Sequence, residues 1–171
     1  MPVIALRGIT VFPNVMIHFE VAREISVKAL EDAMSAGQPV FLVAQKDIRV
    51  EVPDRNHLFD IGTVSTVRQI LRLPGKTIRV MVEGEYRARL HDLVQTEPYL
   101  VAQVEPAEHG PAYEGKSNSL RAEAAIRQAY ELFDRYCELS PKSASAEMLM
   151  NIMSSEDPGY IADFIAQNVS M

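Results

Sequence analysis

A change of hydrophobic period is the feature that most limits how this chain can fold. Through residue 106 the apolar positions alternate or form short runs, as strands do. From residue 117 onward they recur every three to four positions, as on helices. Between the two patterns, Pro106 to Ser119 gathers proline, glycine, serine and asparagine, the composition of a linker or long loop. The expected organisation is a β-rich segment 1–106, a linker 107–116 and a helical segment 117–171, which places the chain in the α+β class.

The alternation is clearest in the middle of the front segment. Ile78, Val80 and Val82 point one way, Arg79 and Glu83 the other; Tyr86, Ala88 and Leu90 repeat this against Arg87, Arg89 and His91. Leu73-Pro74-Gly75-Lys76 reads as a type II turn, with proline presetting φ and glycine accepting a positive one. Glu83-Gly84 marks a bend, and Tyr99 to Val104 a further strand. Val15 to Val21 is a short apolar strand, and Pro39 to Gln45 a buried one. Between them Arg23 to Ala36 carries Val27, Leu30, Ala33 and Met34 at helical spacing, stopped by Gly37. Short strands with turn punctuation imply a small mixed sheet or partly closed barrel with one inserted helix.

Three helices are expected in the tail. The first has the stripe Ile126, Ala129, Tyr130, Phe133, Tyr136 and Cys137 and ends at Ser140-Pro141. The second uses Leu149, Ile152 and Met153. The third opens at Asp157-Pro158, an N-cap followed by proline at the first helical position, and buries Ile161, Phe164 and Ile165. Packing at about 1.5–3 kcal/mol per large side chain accounts for these stripes without a ligand.

Charge and composition then exclude several functions. The net charge is −6; residues 1–106 hold 12 Lys/Arg against 13 Asp/Glu, and the remainder 5 against 10, the wrong balance for a general nucleic-acid binder. Arg68, Arg72, Arg79, Arg87 and Arg89 do cluster in the sheet-forming stretch. Only Tyr86 offers a stacking surface beside them, so a solvated face is favoured over an RNA groove. The longest apolar run, Val40 to Ala44, falls far short of the ~18 residues of a membrane span. Met1 to Arg7 lacks the form of a signal peptide. One cysteine allows no internal disulfide, which points to the reducing cytoplasm.

Motifs for chemistry are missing. Gly75-Lys76-Thr77 resembles the end of a phosphate-binding loop, but Ile70 stands where the motif needs glycine, and a strand follows instead of a helix. His18, His57, His91 and His109 are too scattered for a metal site, and Cys137 falls on a helical stripe as a buried thiol would. No nucleophile elbow or zinc-protease helix occurs. The expected function is a binding module with no catalytic residues and no cofactor.

Several stretches, taken in order, resemble the N-terminal substrate-binding domain of the Lon ATP-dependent proteases. Ile4-Ala5-Leu6-Arg7-Gly8 with Val11-Phe12-Pro13 is similar to the start of that family, with Ala5 in place of its usual proline. Val21-Ala22-Arg23-Glu24-Ile25-Ser26, Phe41-Leu42-Val43-Ala44-Gln45-Lys46-Asp47 and Gly62-Thr63-Val64 follow, then Leu71-Arg72-Leu73-Pro74-Gly75, Val80-Met81-Val82-Glu83-Gly84 and Asp157-Pro158-Gly159-Tyr160-Ile161-Ala162-Asp163. Ala22, in place of a frequent glycine, and His57-Leu58-Phe59, in place of an acidic-leucine-tyrosine run, depart from the pattern. The resemblance implies a PUA-like β pseudo-barrel followed by a helical subdomain. It also implies a homo-hexameric parent whose ATPase and Ser-Lys protease domains, with their ATP and magnesium, are absent from this segment, so that the chain is expected to be a fragment or isolated domain.

The implied partners are unfolded or tagged protein substrates and the other subunits of the ring, with no membrane and no nucleic acid. The physical basis would be an exposed apolar patch. Phe12, Val15, Met16 and Ile17 are the first candidates, because apolar residues occupy both alternating positions there; Leu71 and Leu73 near the hairpin are the second. Burial of both strand faces is an equal reading of the same pattern. A role in assembling the hexamer, or RNA binding by a stand-alone PUA-like module, are the alternatives.

Overall fold

In a computed structural model, residues 1–107, 120–139, 155 and 157–169 are described. The chain divides into two compact units, Met1–Ala107 and Glu108–Met171. The expected helix around Leu149, Ile152 and Met153, and most of the expected linker, lie outside the described residues.

The first unit is a six-stranded sheet with one helix. Its strands are β1 (Val3–Leu6), β2 (Met16–Val21), β3 (Val40–Ala44), β4 (Ile61–Arg72), β5 (Ile78–Gln95) and β6 (Val101–Pro106), and α1 (Glu24–Ala36) joins β2 to β3. β1 and β3 are parallel; the other pairs are antiparallel, in the order β1-β3-β4-β5-β2. β5 runs beside β4 on one edge. On its other edge it takes β2 along residues 78–83 and β6 along residues 88–95. β6 then returns to the start of the chain. Pro2 bridges Val101, Val3 N–H donates to Leu100 O at 2.8 Å, and Ala102 N–H to Met1 O at 2.9 Å. β1, β3, β4, β5 and β6 therefore close into a small barrel, one of the two arrangements that the strand pattern left open.

Two cores explain why Val3–Leu6 forms a strand although it shows no alternation. Val3 and Ala5 face the barrel interior with Phe41, Val43, Leu58, Val64, Ala88, Leu90, Leu100 and Ala102. Ile4 and Leu6 face the other way, onto a core shared with α1 and β2 that includes Leu30, Val40, Leu42, Val80 and Val82. A strand buried on both faces reads as a continuous apolar run. β3 is sandwiched in the same manner.

The buried face of α1 is Ser26, Ala29, Leu30 and Ala33; Met34, expected on that face, is 43% exposed. Small residues at 29 and 33 let the helix lie close on the sheet, and Met34 falls off the edge of that narrow contact. Gly37, with φ 62°, ends the helix as expected: its N–H donates to Met34 O and that of Gln38 to Ala33 O.

In the second unit, α2 (Leu120–Leu139) and α3 (Pro158–Asn168) are described. Phe133 and Cys137 are buried on α2 and Ile161 on α3. Phe133 meets Phe164 edge-on, with ring centroids 6.1 Å apart. The Asp157 carboxylate accepts the Gly159 N–H at 2.8 Å, so the N-cap with proline behind it opens α3 where the sequence placed it.

Candidate functional site

The segment between β1 and β2 crosses the front of the sheet and is tied down by its backbone. Thr63 Oγ1 donates to Val11 O at 2.7 Å, Gly84 N–H to Val15 O at 2.9 Å, and Asn14 N–H to Gly84 O at 2.9 Å. A side chain at Gly84 would collide with the Phe12 carbonyl, so glycine is what lets the segment lie this close. Phe12 is thereby fixed at the rim of a groove of about 470 Å³. Phe59, Ile61 and Gly62 also line it, as do Leu42 and Ala44 of β3.

A mismatch in the sheet opens this groove. The β3–β4 ladder stops at Leu42 opposite Thr63 and resumes only at the bridge between Gln45 and Leu58. Two residues on one side thus face four on the other, and the longer side must arch outward. Phe59 and Ile61 sit on that arch, 49% and 39% exposed. Gly62 is held tightly against Phe41 and the Leu42 carbonyl, which fixes the foot of the arch. Over the groove, the Arg87 guanidinium stands 5.8 Å from the centre of the Phe12 ring, within cation–π range. Asp60 lies at the mouth, paired to Arg55 at 2.6 Å. That bond and the field of Arg55, joined by Lys46 and Arg89, hold the Asp60 carboxyl below its ordinary pKa.

The six candidate residues fall in separate places. Phe12 alone lines the groove. Val15 is half-buried at the end of the crossing segment, and Ile17 points inward onto the core shared with α1. Met16 points outward. Glu20, Arg79 and Leu71 are level across β2, β5 and β4, as are His18, Met81 and Gln69; Met16 is level with Glu83. Met16, Met81 and Leu71 therefore form a diagonal on the outer face, where Met16 is 55% and Leu71 52% exposed. Leu73 lies in another cleft, of about 520 Å³, between α1 and the β4–β5 turn. Arg72–Glu31 at 2.7 Å and Lys76–Glu24 tie the two sides of that cleft together.

Phe59 and Ile61 were not singled out from sequence as binding residues, and Arg87 only as one of the five clustered arginines. Phe59 had a faint signal, as the one aromatic residue in the polar stretch 46–60; nothing local tied Arg87 to Phe12. Gly75-Lys76-Thr77 is the hairpin turn, with Gly75 at φ 87° and Leu73 N–H donating to Thr77 O at 3.0 Å. Of the five clustered arginines, three sit on carboxylates: Arg68 on Glu83, Arg72 on Glu31 and Arg79 on Glu20.

The fold has a counterpart among solved Lon N-terminal domains. The N-terminal domain of Mycobacterium avium complex Lon protease resembles this chain with a TM-score of 0.68 and 18% identity, over 95% of this chain and 78% of that one. The chain belongs to the ATP-dependent protease La (LON) substrate-binding domain family, whose model matches residues 1–171. It is 37% identical over 171 residues to Lon protease of Brevibacillus choshinensis, covering 100% of this chain and 21% of that protein. It is 35% identical over 170 residues to Lon protease 1 of Bacillus subtilis, covering 99% of this chain and 21% of that protein. The chain thus spans about a fifth of the length of these relatives. No helix among the described residues is long and apolar enough to cross a membrane.

Proposed function

We propose that this domain recognises unfolded or tagged polypeptide for a cytoplasmic ATP-dependent serine protease that degrades misfolded and regulatory proteins. In this reading it positions substrate for a hexameric ring and has no catalytic part or cofactor of its own. The observation that supports the reading is the groove beside Phe12. Exposed Phe59 and Ile61 and half-buried Phe12 line it, and an unfolded segment exposes apolar side chains able to fill it. A folded protein keeps such side chains in its own core, so the preference for unfolded chains needs no sequence-specific contact.

Titrating the isotope-labelled chain with a permanently unfolded protein, and with the same protein folded, tests this by NMR. Shifts are expected at Phe12, Phe59, Ile61 and their neighbours with the unfolded form only. Phe59→Ser, at a half-exposed position, should weaken that binding about 10-fold while the amide spectrum stays that of the folded domain. Shifts confined to the Leu73 cleft or to the Met16–Met81–Leu71 diagonal would move the site; no shifts would overturn the reading.

Assembly of the ring has one observation in its favour. Leu132 and Leu139, seven residues apart on one side of α2, are 61% and 78% exposed. Sedimentation over a concentration series checks this reading: a strict monomer for the chain, unchanged in Leu132→Ser, would remove it.

A further inference from the structure

The groove has a charged rim as well as an apolar floor. Register puts Arg87 and Arg89 of β5 directly opposite Thr63 and Ile61 of β4, so both arginines share the face on which Ile61 lines the groove. Lys46 stands two residues beyond the groove-lining Ala44, where its N–H donates to His57 O at 2.8 Å. It is close enough to Asp60 for its charge to be felt there, as is Arg89. Asp60 is already engaged by Arg55. Glu105, level with Arg89 on β6, has its carboxylate 2.8 Å from the His91 ring. Among the described residues Lys46 and Arg89 make no ion pair, whereas Arg68, Arg72 and Arg79, elsewhere on the sheet, are each matched to a carboxylate. Two cations with no ion pair among the described residues thus stand beside the groove-lining Asp60 and Ile61.

We infer that the groove selects, among exposed apolar segments, those flanked by Asp or Glu side chains, with Lys46 and Arg89 as the residues that set this preference. The inference rests on the reading of the groove as the polypeptide site. The apolar side chains of the segment enter between Phe12, Phe59 and Ile61, and the flanking carboxylates meet the cations at the mouth. Arg89 stands on β5 and Lys46 just past the end of β3, so the two cations come from different elements. That separation suits acidic side chains at both ends of a short apolar stretch better than one terminal carboxylate. Apolar contact supplies the affinity and the charges supply the discrimination, as is usual for exposed rim charges. The same rim disfavours apolar segments flanked by lysine or arginine, a bias that like-charge repulsion provides without any further contact.

The test uses the whole chain and three peptides sharing one apolar core, flanked by acidic, neutral or basic residues, and capped at both ends to remove terminal charges. Binding is measured by NMR titration at low and at high salt. At low salt the acidic-flanked peptide should bind about 3–10-fold tighter than the neutral one, and the basic-flanked peptide weaker; the differences should collapse at high salt. Lys46→Glu/Arg89→Glu should invert the order, with the basic-flanked peptide then binding tighter than the acidic-flanked one. Equal affinity for all three, insensitive to that double reversal, overturns the charge preference while the groove remains the polypeptide site. No binding of any peptide at the groove overturns both. Tight binding only when the C-terminal cap is removed would assign the cations to a chain-end carboxylate, and so against the flanking side chains.

Discussion

Gly84 does two jobs with one missing atom. Its N–H and C=O hold the crossing segment through Val15 and Asn14, and its bare Cα admits the Phe12 carbonyl. Gly84→Ala must push that segment away, at a cost of about 1–3 kcal/mol, measurable by urea denaturation. Because Phe12 moves with its carbonyl, polypeptide binding should fall further than stability alone explains. Leu30→Ala, by contrast, should cost about 2–5 kcal/mol with binding by the folded fraction unchanged, since Leu30 is fully buried on the inner face of α1. Sequence showed Gly84 as a bend but not its reason, because the contact is with a residue seventy-odd positions earlier, and no local pattern encodes that distance. Phe12 was singled out because it stands in an apolar run, and it does line the groove; Ile17, taken on the same pattern, is core.

Among the elements, those with local signals were legible and those defined by pairing were not. α3 carries its own start in Asp157-Pro158, and Asp157→Ala should lower the stability of the helical unit by about 0.5–2 kcal/mol, read from its thermal transition. The ends of α1 and the Gly75 turn were legible for the same reason. β1 was hidden because it is buried on both faces, and the groove because it arises from a two-against-four mismatch between β3 and β4. Arg55–Asp60 braces the arch on the longer side. Asp60 has its pKa lowered by Arg55, so the brace contributes fully above the ordinary carboxylate value. That contribution is lost as pH falls through the lower, folded value. Wild type should therefore be more stable than Asp60→Asn at neutral pH, with the difference vanishing in acid once the pH lies below the lowered, folded value. Paired acid titrations followed by circular dichroism would show whether the two curves merge.

For the molecule as a whole, the division into two units has a direct consequence: among the described residues, the buried members of both hydrophobic cores of the front unit lie between Val3 and Ala102. A chain of residues 1–107 should fold cooperatively by itself, whereas one ending at Gln95 should not. Without β6 the edge of β5 from 88 to 95 and the bridge at Pro2 both lose their partner. Near-UV circular dichroism of the two truncations would separate these outcomes. The change of period near residue 106 made the boundary between the patterns visible. The closure of the barrel was not, since it depends on Val3 and Leu100 meeting from opposite ends of the unit.

The Pro2–Val101 bridge also sets an order of events during synthesis. A nascent chain emerges from its N-terminus, yet Val3 cannot make its bond to Leu100 until about a hundred further residues have left the ribosome. One edge of β1 can pair with β3 once residue 44 has emerged, but its other edge stays open until residues 100–102 follow, the longest wait for a partner in the sheet.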